Sequence, residues 1–172
     1  MKKKILVTVV IICIVAIAVG WYVFQSKEEE KLFVGAYLEY EVEGMMYGKT
    51  LSGTVKLEVV EITEETYTVH IKYDLSLGGE PYVTKTKTET FRFDEPPISE
   101  EDREGTEYIG DKTIRTAIGI KIVDHYLNEE GGVKIDTYVD KVSNLVLAEY
   151  QESSEGRVNI EVFDTNIEWL KG

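Results

Sequence analysis

The sequence predicts an all-β domain, mainly antiparallel and built as a curved meander sheet or an open barrel, preceded by one N-terminal transmembrane helix. Two patterns predict this: an uncharged run at residues 5–24, and beyond residue 31 an alternation of apolar and polar residues with period two, without long helical periodicity. We therefore divide the chain into a cytoplasmic lysine tip with its transmembrane anchor (1–25), a short linker (26–31) and a single extracytoplasmic β domain (32–172).

The N-terminal segment has the length and the flanks of a membrane anchor. As a helix, residues 5–24 would reach roughly 30 Å, the thickness of the hydrocarbon core of a bilayer. The preceding Lys2-Lys3-Lys4 favours a cytoplasmic N-terminus, and Trp21 and Tyr22 are predicted to lie at the outer membrane interface. The alternative is a signal peptide with the small-residue pattern Ala16-Ile17-Ala18 at its cleavage site, which would secrete the domain. Both interpretations export it.

Charge and cysteine content restrict the partners and the source of stability. The chain carries 32 acidic against 19 basic residues, a formal net charge of −13, so it should repel nucleic acid. Its one cysteine, Cys13, lies inside the predicted anchor. The exported domain must therefore be stabilised by its core rather than by disulfides.

The alternation of apolar and polar residues predicts about eight strands. The clearest lies at residues 69–77, where Val69, Ile71, Tyr73 and Leu75 share one face and should point inward, with Lys72 and Asp74 among the residues outside. The other predicted strands cover residues 36–43, 55–61, 81–93, 120–127, 133–140, 145–152 and 158–164. Short turns such as Ser52-Gly53 and Gly78-Gly79 separate them, and residues 94–105 form the longest predicted loop.

No catalytic or cofactor motif is present. Residues 44–50 resemble a phosphate loop, but three residues instead of four separate the two glycines and a strand follows, so we expect a hairpin. His70 and His125, the only two histidines, show no metal-ligand spacing. The sequence thus predicts no cofactor and no metal, and it favours a protein that is not an enzyme. The alternative is a carboxylate-dependent extracytoplasmic hydrolase, although no carboxylate pair can be singled out.

Tyrosines give the candidate ligand site. The chain has eleven, most of them in predicted strands, where an amphipathic ring can line a groove between core and water. An apolar sheet face without a long covering helix must either curl on itself or leave a groove. The predicted rim of such a groove consists of Tyr40, Tyr73, Tyr82, Tyr126 and Tyr138.

Two segments carry a family resemblance. Residues 108–119 lead to Val123-Asp124-His125-Tyr126, and Thr137-Tyr138-Val139-Asp140-Lys141 later precedes the apolar residues 145–150. This pattern resembles uncharacterised exported, membrane-anchored proteins with a lipoprotein-carrier-like antiparallel β-sheet. The resemblance implies a curved sheet that can hold an acyl chain in its concavity, although the lipobox and the closing helices of such carriers are missing here.

The functional expectation is a membrane-anchored extracytoplasmic binding or interaction module. Its expected partners are the lipid bilayer, through the N-terminal helix, and either a hydrophobic ligand or a neighbouring membrane protein. Nucleic acid is not an expected partner, because of the acidic charge.

Overall fold

The computed structural model describes residues 32–92, 106–142 and 145–171, which form one antiparallel sheet of nine strands. The strands are β1 (Tyr37–Met46), β2 (Lys49–Ile62), β3 (Thr66–Leu77), β4 (Glu80–Arg92), β5 (Thr106–Thr116), β6 (Gly119–Glu130), β7 (Val133–Asp140), β8 (Val146–Ser153) and β9 (Gly156–Thr165), followed by a 3-10 helix (Glu168–Lys171). The all-β antiparallel class predicted from the sequence is confirmed.

The strand order is β4-β3-β2-β1-β9-β8-β7-β6-β5. Two meanders, β1–β4 and β5–β9, are thus joined by the antiparallel pair β1–β9, and β4 and β5 form the two edges of an open sheet. Eight antiparallel pairings separate β4 from β5, so these two strands run in the same direction. A tight turn cannot join strands of that orientation.

The first meander, β1–β4, buries one face of its central strands. On β3, Val69, Ile71 and Tyr73 are at most 2% exposed and Leu75 is 8% exposed, whereas Lys72 and Asp74 face solvent. The predicted inward row of this strand is therefore confirmed. It packs with the buried apolar residues of β1, β2 and β9 into one hydrophobic core.

The second meander, β5–β9, is curled. Its edge strand β5 comes within contact distance of β9, although β8, β7 and β6 lie between them in the sheet. At β8 the residues from Leu145 to Glu149 are all buried, so this strand is covered on both faces.

The pairing of residues on adjacent strands defines two faces of the sheet that continue from the first meander into the second. Directly paired residues of adjacent strands point to the same side of a sheet. The row that we call the Val42 face runs from β1 to β5 through Val42, Ile160, Glu149, Thr137, Tyr126 and Tyr108. The opposite row, the Glu41 face, runs through Glu41, Glu161, Ala148, Tyr138, His125 and Gly110.

Burial passes from one face to the other along these rows. On the Val42 face, Val42 and Ile160 are 3% exposed but Tyr108 is 51% exposed. On the Glu41 face, Glu41 is exposed, whereas Ala148 and Tyr138 are 1% and 5% exposed. The buried side of the sheet therefore changes at β8.

Two features differ from the prediction. Strand β5 was not predicted from the sequence. Its side chains are mostly exposed, and a bulge between Tyr108 and Gly110 interrupts the alternation of apolar and polar residues. The predicted turn at Ser52-Gly53 is wrong, since both residues lie inside β2 and the hairpin turn is at Tyr47-Gly48. A Cβ at Gly53 would lie 2.0 Å from the Asp74 carbonyl oxygen, so this glycine allows close strand approach instead of a turn.

Several predictions fall outside the described residues: the transmembrane helix at 5–24 with Trp21 and Tyr22, and the loop at 94–105. Within the described part of the chain, no helix is long and apolar enough to cross a membrane.

Candidate functional site

The five predicted groove tyrosines occupy different environments. Tyr40 and Tyr73 are 1% and 2% exposed and flank Val55 on three neighbouring strands of the core. Tyr126 is half-buried on the Val42 face, and Tyr138 is buried on the Glu41 face. The fifth, Tyr82, is half-buried on edge strand β4. Tyr40, Tyr73 and Tyr138 belong to one buried hydrophobic cluster, and Tyr82 packs against it. A role in ligand binding stays a prediction for all five.

A buried polar pair lies on the Val42 face, at the join of the two meanders. Glu149 is 2% exposed and Gln151 is 5% exposed, and the Gln151 amide donates a 2.5 Å hydrogen bond to Glu149 Oε1. The second oxygen, Glu149 Oε2, is inaccessible to solvent and has no hydrogen-bond partner among the described residues. Buried polar atoms are almost always satisfied, so this oxygen needs an explanation.

The local sequence of β8 places this pair. The pairing of β7 with β8 shifts register between Tyr138 and Val139, where Val146 pairs with Val139 and Ala148 with Tyr138, leaving one extra residue on β8. Such a bulge re-aims the side chains that follow it. Beyond it, Glu149 and Gln151 pair with Ile160 and Val158 of β9, whose side chains belong to the hydrophobic core.

Burial controls the protonation of the Glu149 carboxyl. It raises the pKa of the Glu149 carboxyl to about 7, although the hydrogen bond from Gln151 acts in the opposite direction. Burial, and the charge of Glu149, raise the pKa of the Tyr40 phenol, whose hydroxyl donates a 2.9 Å hydrogen bond to the Val146 carbonyl oxygen. Near neutral pH, Glu149 can therefore either donate or accept a hydrogen bond inside an apolar environment.

A second polar cluster lies on the Glu41 face. His125 Nε2 is 2.7 Å from Asp136 Oδ1, and the His125 ring stacks on Tyr138 with centroids 4.7 Å apart. Lys112 Nζ donates a 3.2 Å hydrogen bond to the Tyr138 hydroxyl. All four side chains have partners within the cluster, so it is a self-satisfied packing arrangement and not an open site.

Metal binding has no geometric support in residues 32–92, 106–142 and 145–171. No group of three or more histidine, cysteine, aspartate or glutamate side chains is arranged to hold an ion there. A metal site normally needs at least three such ligands.

Sequence reasoning missed Glu149 and Gln151. The usable signal was their phase: both follow Leu147 at intervals of two, directly after the apolar run Leu145-Val146-Leu147-Ala148. A polar residue in phase with a core row is a candidate buried polar group. The bulge hides this phase, because it adds one residue within the apolar run.

The comparisons with known proteins give fold likenesses only. No protein-family model and no curated protein matches the sequence. Similar solved structures include an exported protein with a YmcC-like fold from Bacteroides fragilis, with 8% identity and a TM-score of 0.41, covering 78% of this chain and 96% of that one.

Two further neighbours are similar in the same way. A Pseudomonas aeruginosa MucA/MucB complex chain has 7% identity and a TM-score of 0.44 over 87% of this chain and 54% of its own. This chain therefore spans about half the length of that protein. An outer membrane lipoprotein-sorting protein domain from Vibrio parahaemolyticus has 9% identity and a TM-score of 0.33 over 89% and 98%. The similar structures thus include an exported protein and a lipoprotein-sorting domain, the kinds of protein that the sequence resembles.

Proposed function

We propose that this protein is an extracytoplasmic binding module, held at the membrane by its N-terminal helix, whose sheet binds an amphiphilic ligand. The observation that carries the proposal is the buried Glu149–Gln151 pair with its unpartnered carboxyl oxygen. The ligand would have a polar end that donates a hydrogen bond to Glu149 Oε2, as a hydroxyl or an amine does, and an apolar remainder.

The energetic reason is the cost of a buried polar atom without a partner. Leaving such a group unsatisfied costs about 1–3 kcal/mol, and more when the group is charged. A simple structural role would be served as well by an apolar residue at position 149, next to Ile160. Features that break the local rules of folding tend to mark functional sites.

The surroundings favour an amphiphile over a fully polar ligand. Glu149 pairs with Ile160, which pairs in turn with Val42, and both of these apolar side chains are buried beside it. Because this row is covered by the protein itself, the covering side chains must move apart to admit the ligand. An apolar chain lying there would remain out of water, while one polar contact would orient it.

The hydrolase alternative receives no support from this site. General acid–base hydrolysis of glycosides uses two carboxyl groups about 5–9.5 Å apart. The hydrogen-bond partner of Glu149 is the amide of Gln151 and not a second carboxyl group.

Native mass spectrometry of the full-length protein extracted in a mild detergent tests the proposal. The wild-type protein should retain an adduct with the mass of a lipid or another amphiphile. Glu149→Gln should reduce the adduct strongly, because the substitution removes the acid and presents an amide in its place.

Glu152→Gln is the matched control. Glu152 lies on the same strand with its side chain 54% exposed and paired with Arg157, so its substitution should leave the adduct unchanged. Equal adducts in all three proteins, or none in the wild type, would contradict ligand binding at Glu149. An adduct with the mass of a protein would instead indicate an interaction module for a neighbouring membrane protein.

A further inference from the structure

The end of the sheet where the described chain begins presents exposed apolar tips. In this antiparallel sheet, the start of β1, the β5–β6 turn, the β7–β8 turn and the end of β9 all lie at the same end. Phe33 and Val34, just before β1, are 45% and 59% exposed, and Val142 in the β7–β8 turn is 59% exposed. The opposite end also exposes Met45 and Tyr47, to 56% and 42%, so the position of the anchor distinguishes the two ends. Neighbouring exposed apolar side chains are typical of contact surfaces.

The first of these tips is held in place. The Ala36 amide donates a 3.0 Å hydrogen bond to the Phe33 carbonyl oxygen, which closes a turn around Val34. Gly35 and Ala36 are bonded in turn to the Val59 backbone of β2, at 2.7 and 2.9 Å. Phe33 and Val34 are therefore presented by a turn bonded to the sheet and not by a loose tail.

The second tip lies a short distance away in the sheet. Only β9 lies between β1 and β8, so the β7–β8 turn begins two strand spacings, about 10 Å, from β1. Beside Val142, Lys141 is tied to the sheet by hydrogen bonds from its backbone amide to the Ile122 carbonyl oxygen and from its ammonium to Asp111. The two tips thus lie at the same end of the sheet, one on each side of the end of β9.

We propose that this surface, formed by Phe33, Val34 and Val142, contacts the outer leaflet of the membrane in which the N-terminal helix is anchored. The inference rests on the anchoring part of the proposed function. Residues 25–31 can extend to about 25 Å at most, so the end of the sheet that carries Leu32 lies near the bilayer. Aromatic and aliphatic tips at such a position enter the headgroup region.

Charge gives the contact a direction. The β2–β3 turn lies at the same end but on the other side of β1, and it carries Glu64 and Glu65, both exposed. On the β9 side, the exposed Glu168 carboxylate lies 3.6 Å from the Lys171 ammonium, which offsets its charge. Carboxylates are disfavoured at the apolar boundary of a membrane, so the domain should tilt toward the β7–β8 turn and keep Glu64 and Glu65 in water. This asymmetry distinguishes a lipid contact from simple proximity to the anchor.

Fluorescence quenching in vesicles tests the inference on the full-length chain. In a Cys13→Ala background, which removes the only native cysteine, single cysteines at positions 34 and 142 carry an environment-sensitive dye. The protein is reconstituted in phosphatidylcholine vesicles with and without quencher-bearing lipids. Emission from both positions should fall by about half or more, as for a probe at headgroup depth.

Position 47 at the opposite end and position 65 in the β2–β3 turn are the controls. Both residues are exposed, so each accepts the same dye, and neither should be quenched appreciably. Equal quenching at positions 47 and 142 would overturn the contact, and equal quenching at positions 65 and 142 would overturn the tilt.

A carbonate wash separates failure of the inference from failure of the anchor. Retention of the chain by washed vesicles, with positions 34 and 142 unquenched, would refute the lipid contact while the anchored module stands. Release of the chain by the wash would refute the anchor, and with it the inferred contact.

Discussion

The two meanders of this sheet fill their interiors with different chemistry. Among the described residues, every buried side chain of β1–β4 is apolar or is a tyrosine. The buried polar residues all lie in β5–β9: Thr116, Asp140, Glu149, Gln151 and Thr165. The second meander also exposes Ile120 and Ile122, each to 60%. The first meander thus buries only the side chains of an ordinary hydrophobic core. The second meander also buries polar side chains, and it leaves large apolar ones exposed.

This difference has a physical consequence. Apolar burial stabilises a fold in proportion to area, whereas buried polar groups contribute only when they are satisfied. Regions with fewer buried apolar contacts lie at the less stable end of a structure, from which ligand-binding elements are drawn. We expect substitutions to separate the two meanders clearly.

The largest expected effect comes from one substitution made in both meanders. Ile71→Ala on β3 removes a side chain that is 2% exposed and should lower the free energy of unfolding by about 2–5 kcal/mol. Ile122→Ala on β6 removes one that is 60% exposed and should change it by less than about 0.5 kcal/mol. Urea unfolding of the full-length protein in nanodiscs, followed by circular dichroism, measures both.

The m-value is the internal control of that comparison. It should be the same for both variants, because neither changes the surface exposed on unfolding by much. A loss in Ile122→Ala as large as in Ile71→Ala would mean that the Val42 face of β6 is covered in the native protein, and the contrast between the meanders would fail.

The next effect is the pH dependence of stability at Glu149. Burial raises the pKa of this carboxyl from 4.5 in the unfolded chain to about 7 in the fold, so folding favours the protonated form. The contribution of this carboxyl to the free energy of unfolding is fully present below pH 4.5. It is lost as the pH rises to about 7, and it does not change further above that pH. At about 1.4 kcal/mol per pKa unit, the fall amounts to about 3 kcal/mol.

Glu149→Gln should abolish this component of the pH profile. Unfolding free energies at pH 4.5, 6 and 7.5 for the variant, the wild type and Glu152→Gln isolate it from other titrating groups. Glu152→Gln should follow the wild type, because its side chain is exposed. Parallel profiles for Glu149→Gln and the wild type would show that the Glu149 carboxyl has a polar partner in the native protein.

Much of the fold was predictable from local alternation. Inward residues such as Ile71 repeat with period two against charged neighbours such as Lys72, and that pattern defines both a strand and its buried side. The β7 boundaries, Val133–Asp140, were predicted without error for the same reason. Gly78-Gly79 supplied a correct turn because positive φ at both residues suits glycine.

The change of buried face at β8 was not predictable from the same pattern. Alternation states which residues of one strand share a side, but not which side of a distant strand meets the core. That depends on the curl of the second meander and on the bulge beside Val139, both of which are tertiary. Glu149 was missed for this reason, since a glutamate beside Ala148 and Tyr150 suggests a solvent-facing position.

The smallest expected effect concerns the exposed end of the Val42 face. The Tyr108 hydroxyl donates a 2.6 Å hydrogen bond to Asp111 Oδ1, and this bond raises the pKa of the Tyr108 phenol to about 12. Asp111 Oδ2 accepts a 2.7 Å hydrogen bond from Lys141. Since these side chains are exposed, Asp111→Asn should leave stability almost unchanged. It should nevertheless return the Tyr108 pKa toward its usual value near 10.

Ultraviolet titration at the phenolate band can resolve this change among the other tyrosines. The difference between the Asp111→Asn and wild-type curves should show one phenol ionising at lower pH, and the difference should vanish when both chains also carry Tyr108→Phe. Because Tyr40 and Tyr67 are buried, their phenols ionise only at higher pH and contribute little to the difference. An unchanged curve would show that Tyr108 is not bonded to Asp111. The exposed end of the Val42 face would then be less ordered than the buried end at Val42, and the contrast between the meanders would extend from polarity to order.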